Sequence, residues 1–188
     1  MPSTQQISTT PEAEKDRWRT PPWLFRYLSW RYGPFDIDLA AGDENHLCER
    51  YFTIETNALA QNWFHYGARG FCNPPYSAPS AWVASSLFEA QGFGFSTCLV
   101  LPTHINQKWA ALSQHATEVL NFEGRVQFLR ADGTPAKTSN RGGTQVIWFR
   151  AGDLGFTRTP WVKTSEIRER FEDKADAMLA ARKGGGDE

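Results

Sequence analysis

Residues 73–76 read Asn-Pro-Pro-Tyr and directly follow the short apolar run "ARGFC". Each residue type has a chemical use there. The Asn73 side-chain oxygen and the Pro74 backbone carbonyl are hydrogen-bond acceptors, and a carbonyl at a strand end is not consumed by a ladder. Pro74 and Pro75 fix the backbone, so both acceptors are held before a ligand arrives. Tyr76 offers a flat face on which a base can stack. Such a set suits any planar amino group: its two hydrogens are accepted and its lone pair is turned outward. Taken alone, the same four residues also make a polyproline turn, because paired prolines hold extended geometry and asparagine starts turns.

Which of the two applies depends on the elements around them. Thr20 ahead of Pro21 and Pro22 is a helix start, a capping hydroxyl with proline in the first turn, and predicts a helix over 21–32 that stops at a glycine. The stretch "PFDIDLAAG" alternates Phe35, Ile37 and Leu39 with Asp36 and Asp38, which predicts a strand leading into a tight bend. Residues 43–63 mix loop with a possible short helix, "DENHLCERYF". "ARGFC" reads as a buried strand ending at Asn73, and "PSAWVASSLFEAQG" as a helix closed by glycine. "FSTCLVLPT" is a central strand halted by Pro102, and "INQKWAALSQHA" a further helix. The runs "EVLNFEGRVQFL" and "TQVIWFR" flank the loop "RADGTPAKTSNRGG" and predict a long antiparallel hairpin. A closing helix is expected to end near Arg182.

Strand, helix, strand, helix and then an antiparallel pair predict an α/β fold around a mostly parallel sheet. In such sheets ligands sit at the carboxyl ends of the strands. "DIDLAA", "NPPY" and "LPTH" all fall on that rim. The domain is expected over 17–163 with a C-terminal helix at 164–182, between a flexible polar tail at 1–16 and a flexible glycine-rich tail at 183–188.

Asn-Pro-Pro-Tyr between a strand and a helix resembles motif IV of S-adenosylmethionine-dependent amino-methyltransferases. The ordered set "WRTPPWLF", "FDIDLAA", "NALAQNW", "FCNPPYS" and "LPTHINQKW" resembles, more closely, the bacteriophage DNA N6-adenine methyltransferases of the Dam type, over about residues 17–150. The resemblance implies a Rossmann-like methyltransferase sheet with S-adenosylmethionine as cofactor and double-stranded DNA as partner. It implies catalytic roles for Asn73, Pro74, Pro75 and Tyr76 at the adenine amino group. It places Asp38 as the motif I acid toward the cofactor's amino group, with Ala40, Ala41 and Gly42 permitting close backbone approach. Trp18, Thr20 and Pro21 resemble the family's N-terminal cofactor segment, and serve equally as a helix cap with a packed aromatic. Relatives often carry an acid where this chain has Asn57; an asparagine oxygen still accepts from an adenine amino group, and Glu55 stands two residues earlier.

Charge and composition narrow the field further. Twenty basic residues against twenty-one acidic ones leave a formal net charge of -1, so nucleic-acid contact has to be local. Between Arg125 and Arg141 stand Arg125, Arg130, Lys137 and Arg141 with Asp132 as the one acid; of these Arg125, Lys137 and Arg141 are expected to meet DNA phosphates, the alternative being a solvated face. Cys48, Cys72 and Cys98 show neither disulfide nor zinc spacing, and the histidines at 46, 65, 104 and 115 show no metal-ligand spacing, so no metal is expected. His104 reads as a loop histidine. No apolar run approaches the roughly 18 residues of a membrane span, and no signal-peptide core opens the chain, so a cytoplasmic protein, in a bacterial host if phage-encoded, is expected. Two alternatives to a DNA adenine-N6 methyltransferase stay open: an amino-methyltransferase for RNA or protein glutamine, and a nucleic-acid-binding protein that has lost transfer. Recognition sequence and oligomeric state leave no trace in the residues.

Overall fold

A computed structural model describes residues 16–136, 143–153 and 157–172. Its centre is a seven-stranded sheet built from β1 (Ile37–Asp38), β2 (Arg50–Tyr51), β3 (Arg69–Cys72), β4 (Ser96–Pro102), β5 (Glu118–Glu123), β6 (Thr144–Phe149) and β7 (Trp161–Lys163). The strand order is β2-β1-β3-β4-β6-β5-β7. Every neighbouring pair is parallel except the two that involve β6, which runs against both β4 and β5. This is the expected Rossmann-like α/β sheet, with the antiparallel hairpin formed by β5 and β6.

Burial follows strand alternation. Phe71, Cys98, Val100, Val146 and Trp148 point to one face, where they meet Trp23, Leu24 and Leu28 of α1 (Pro22–Tyr32) and Ile167 and Phe171 of α3 (residues 164–172). Cys72, Leu99, Leu101, Ile147 and Phe149 point to the other, against Val83 and Ala90 of α2 (Pro79–Gly92) and Trp109 of the 3-10 helix Lys108–His115. All seven residues of β4 are buried, as a strand covered on both faces requires. All three cysteines are free thiols in this interior.

Four local expectations need correction. Residues 43–52 form no helix, because the Leu47 N–H, which a helix would bond to the Asp43 carbonyl, donates to the Asp38 side chain. The segment ends instead in edge strand β2. Residues 108–115 are 3-10 and not α-helical; Ser113 donates its hydroxyl to the Ala110 carbonyl, a local bond that competes with the longer helical repeat. The strand expected over 118–129 stops at Glu123, where Gly124 adopts φ 91° and turns the chain off the sheet. Finally, Thr20 does not cap α1: Pro21 is the N-cap, with no side-chain hydrogen bond. The closing helix runs from 164 through 172, and its expected continuation to 182 lies outside the described residues, as do 1–15 and the tail from 183.

Candidate active site

Because β1, β3 and β4 are parallel neighbours, their carboxyl ends open on one rim, and the three sequence motifs stand side by side there as expected. Asn73 comes one residue after the end of β3, and Asp38, the last residue of β1, is in register with Phe71. Thr103 and His104 follow β4, with His104 exposed. Residues 16–20 cross this rim from outside the sheet. Arg19 and Leu129 exchange backbone hydrogen bonds of 2.8 and 3.0 Å, and Leu129 also bridges Pro135, so a small antiparallel ribbon roofs the strand ends.

The ribbon fixes the Asn73 side chain. Its Nδ2 donates to the Trp18 carbonyl at 3.1 Å. A carbonyl only accepts, so the amide has one permitted orientation, with Oδ1 turned away from Trp18. That Oδ1 is buried and has no hydrogen-bond partner among the described residues; Trp18 Nε1 and Thr20 Oγ1 are in the same condition. Nor does any described backbone donor reach the Pro74 carbonyl. Pro74 is buried and Pro75 half-buried. The Trp18 indole stacks on Phe128, with 5.9 Å between centroids and 15° between planes, and the Tyr76 ring stands at 88° to the same phenyl. Two outer ties complete the roof: Asp16 Oδ1 accepts from the Ser77 N–H at 3.0 Å, and Arg19 pairs with Glu44 at 3.6 Å.

Asp38 is 3% exposed. Its two oxygens accept from the N–H groups of Ala40 (3.3 Å) and Leu47 (3.1 Å). Burial pushes its carboxyl up to about 6 against the opposing effect of those donors and of His46. The Ala40, Ala41 and Gly42 bend wraps over it, tied to the residue that follows β2 by Ala41 N–H donating to Phe52 O at 2.9 Å. Asn57 and Glu55 lie farther along the loop after β2; both are exposed, and Asn57 holds φ 46°, a left-handed conformation that asparagine tolerates better than most residues.

Asn73, Pro74, Tyr76, Trp18 and Thr20 are therefore brought together, with Asp38 one strand away, and Pro21 is buried at the head of α1. Asn57 and Glu55 lie on the loop after β2, and among the described residues the backbone of Asn57 bonds within that loop, to Thr53 and Ala60. Arg125 is exposed just beyond Gly124, whereas Lys137 and Arg141 lie outside the described residues. Sequence reading missed Phe128, Asp16 and Glu44. Phe128 has no local signature, since its partner Trp18 is 110 residues distant in the chain.

A strand-end Asn-Pro-Pro-Tyr with an orphaned, oriented amide oxygen has the chemistry of amino-group methylation. Residues 7–173 match the family profile of DNA N-6-adenine-methyltransferase (Dam). The chain belongs to the DNA N-6-adenine-methyltransferase (Dam) family. It is similar to the DNA N-6-adenine-methyltransferase of Escherichia phage T1, 30% identical over 159 residues that cover 76% of this chain and 66% of that protein. It is also similar to the enzyme of the same name from Haemophilus phage HP1, 25% identical over 167 residues, with 87% of this chain and 95% of that protein covered. As a member of the Dam family the chain is a DNA adenine-N6 methyltransferase, an enzyme that requires a methyl donor. The residues present fit a methyl donor: among the described residues the buried Trp18 Nε1 and Thr20 Oγ1 lack partners, and the buried Asp38 stands behind a bend of small residues. Among the described residues no group of three or more His, Cys, Asp or Glu could hold a metal ion, and no described helix is long and apolar enough to cross a membrane.

Proposed function

We propose that the methyltransferase takes its methyl group from S-adenosylmethionine and places it on adenine N6 in double-stranded DNA, using Asn73 and Pro74 as paired acceptors. The observation that carries this reading is the Asn73 amide, held through Nδ2 by the Trp18 carbonyl, with Oδ1 buried and unspent. An adenine amino nitrogen is a poor nucleophile because its lone pair is delocalised into the ring. Asn73 Oδ1 and the Pro74 carbonyl accept its two hydrogens, which draws the nitrogen toward a tetrahedral geometry and turns the lone pair out of the ring plane. Bound S-adenosylmethionine supplies an electrophilic methyl on a sulfonium sulfur. Pro74 and Pro75 keep the acceptors preorganised, so little reorganisation accompanies attack. The methyl would leave its electron pair on sulfur as a neutral thioether, and the methylated nitrogen would then give up one proton to water, so no base is required beforehand.

Tyr76, braced by Phe128, stacks on the extruded base; stacking of this kind contributes roughly 1–3 kcal/mol and offsets part of the cost of extrusion. On the donor side, Asp38 meets the amino group of the cofactor, Ala40 permits its close approach, Trp18, Thr20 and Pro21 form the wall, and Asn57 faces the cofactor's adenine. Arg125, Lys137 and Arg141 meet DNA phosphates. Residues 17–163 form the methyltransferase unit, followed by a C-terminal segment at 164–182 that opens as a helix at residue 164, and the enzyme acts in the cytoplasm of a bacterial host.

The test is Asn73→Ala, assayed for methyl transfer to DNA, RNA and a glutamine-bearing protein in parallel, with S-adenosylmethionine affinity measured by calorimetry. Loss of one preorganised polar contact to the transition state raises the barrier by about 2.7–4 kcal/mol, so kcat on DNA is expected to fall about 10²–10³-fold with cofactor affinity nearly unchanged. Turnover equal to wild type would remove Asn73 from the reaction. Transfer by the wild type to RNA or protein in preference to DNA would reassign the substrate.

A further inference from the structure

On the rim opposite the active site, where β3, β4 and β5 begin and β6 ends, the surface sinks into a cavity of about 760 Å³. Four guanidinium groups line it, those of Arg31, Arg69, Arg150 and Arg158, and the one carboxylate among the lining residues is Glu118. Four positive charges against one leave an excess of three, in a chain whose formal net charge is -1.

The carboxylate is already committed. Glu118 is 2% exposed; it accepts from Arg31 Nε at 2.8 Å and from the Tyr32 hydroxyl at 2.6 Å, and it pairs with Arg158 at 3.5 Å. The Tyr32 ring in turn stacks on Trp148 at 4.8 Å, which makes a stiff floor. Arg69 and Arg150 form no ion pair among the described residues. Arg69 lies over Gly33 at the end of α1, where a Cβ would come within 2.8 Å of its Nη1, so the absence of a side chain at Gly33 is what lets the guanidinium sit there. The carbonyl end of α1 offsets only about half a charge.

We propose that this cavity binds a small phosphorylated polyanion of the polyphosphate or nucleotide class. Its size falls in the range of small-molecule sites. A singly charged carboxylate would leave most of the excess charge uncompensated, whereas a ligand with two or more phosphoryl charges matches it, and arginine forks pair phosphate oxygens bidentately. Arg31 is recessed, with its side chain 27% exposed, so a small oxoanion reaches it more readily than the convex backbone of a duplex does. The site stands at the other end of the strands from Asn73, and its assignment is independent of the methyl-transfer reading.

The probe is inorganic pyrophosphate, titrated calorimetrically into the full-length protein at low salt. Saturable binding is expected. Arg150→Ala and, separately, Arg158→Ala should each weaken it about tenfold or more, the loss of charge-assisted hydrogen bonds to an anion. Both variants should fold, as checked by circular dichroism, and Arg150→Ala should methylate DNA at the wild-type rate. Absence of saturable binding to the wild type, or binding unchanged in both variants, would overturn the proposal. Displacement of pyrophosphate by a short duplex DNA would overturn it as well, by making the cavity a contact for backbone phosphate.

Discussion

Asp38 couples proton binding to stability and, in the role proposed for it, to cofactor affinity with the opposite sign. Its carboxyl titrates at about 6 in the folded protein because burial disfavours the charge. The unfolded chain releases that proton near the ordinary aspartate value of about 4, so between about pH 4 and 6 the folded state holds more protons and stability falls as pH rises. The slope is at most about 1.4 kcal/mol per pH unit for one group, and it levels off above about 6. Urea unfolding across this range should show the slope in wild type and lose it in Asp38→Asn. If Asp38 meets the cofactor's amino group as proposed, affinity for S-adenosylmethionine should run the other way, rising with pH through about 6 as the carboxylate forms, and Asp38→Asn should bind weakly at every pH; calorimetry at several pH values checks this. At this scale the placement of Asn73 and Asp38 at neighbouring strand ends was legible in the sequence, because each follows an apolar run and stands beside small or rigid residues. Phe128 and the Trp18 carbonyl were not, since a contact across more than a hundred residues leaves no local pattern.

Among the elements, β3 sets the position of Asn73 and Pro74 and has little tolerance. A Cβ on Gly70 would lie 2.9 Å from Leu39 Cδ1 and 2.9 Å from two ring carbons of Phe95, and both of those side chains are buried. Gly70→Ala should therefore overpack the join between β1 and β3 and destabilise the protein by about 1–3 kcal/mol, read from the midpoint of urea denaturation. It should also lower methyl transfer, since Asn73 follows three residues later. Helices α1 and α2 were readable from their prolines and terminal glycines, and β4 from its unbroken apolar run. The segments 43–52 and 108–115 were misread because Asp38 and Ser113 divert hydrogen bonds that composition alone assigns to helices.

For the molecule as a whole, a formal net charge of -1 means that DNA affinity must come from a few local cations. The described ends flanking 137–142 are anchored at the candidate active-site rim, Ala136 N–H donating to Phe128 O and Thr103 N–H to Gly143 O. Replacing Lys137 and Arg141 together by alanine should then flatten the slope of log affinity against log salt by about 1.8, at about 0.9 per phosphate contact, and weaken all sequences alike. Fluorescence anisotropy titrations at several salt concentrations measure it; an unchanged slope would make this segment a bystander.

The buried thiols give the molecule an internal clock. Cys72 and Cys98 are fully buried on the paired strands β3 and β4, while Cys48 sits at 8% exposure in the loop that wraps Asp38. Burial pushes all three thiols up, Cys48 to about 12, so an alkylating reagent reacts only when a segment opens. Timed labelling followed by peptide mass spectrometry should modify Cys48 first, through opening of its loop, and Cys72 and Cys98 later at one common rate, that of parting the central sheet. A cofactor seated against Asp38 should slow the first phase alone.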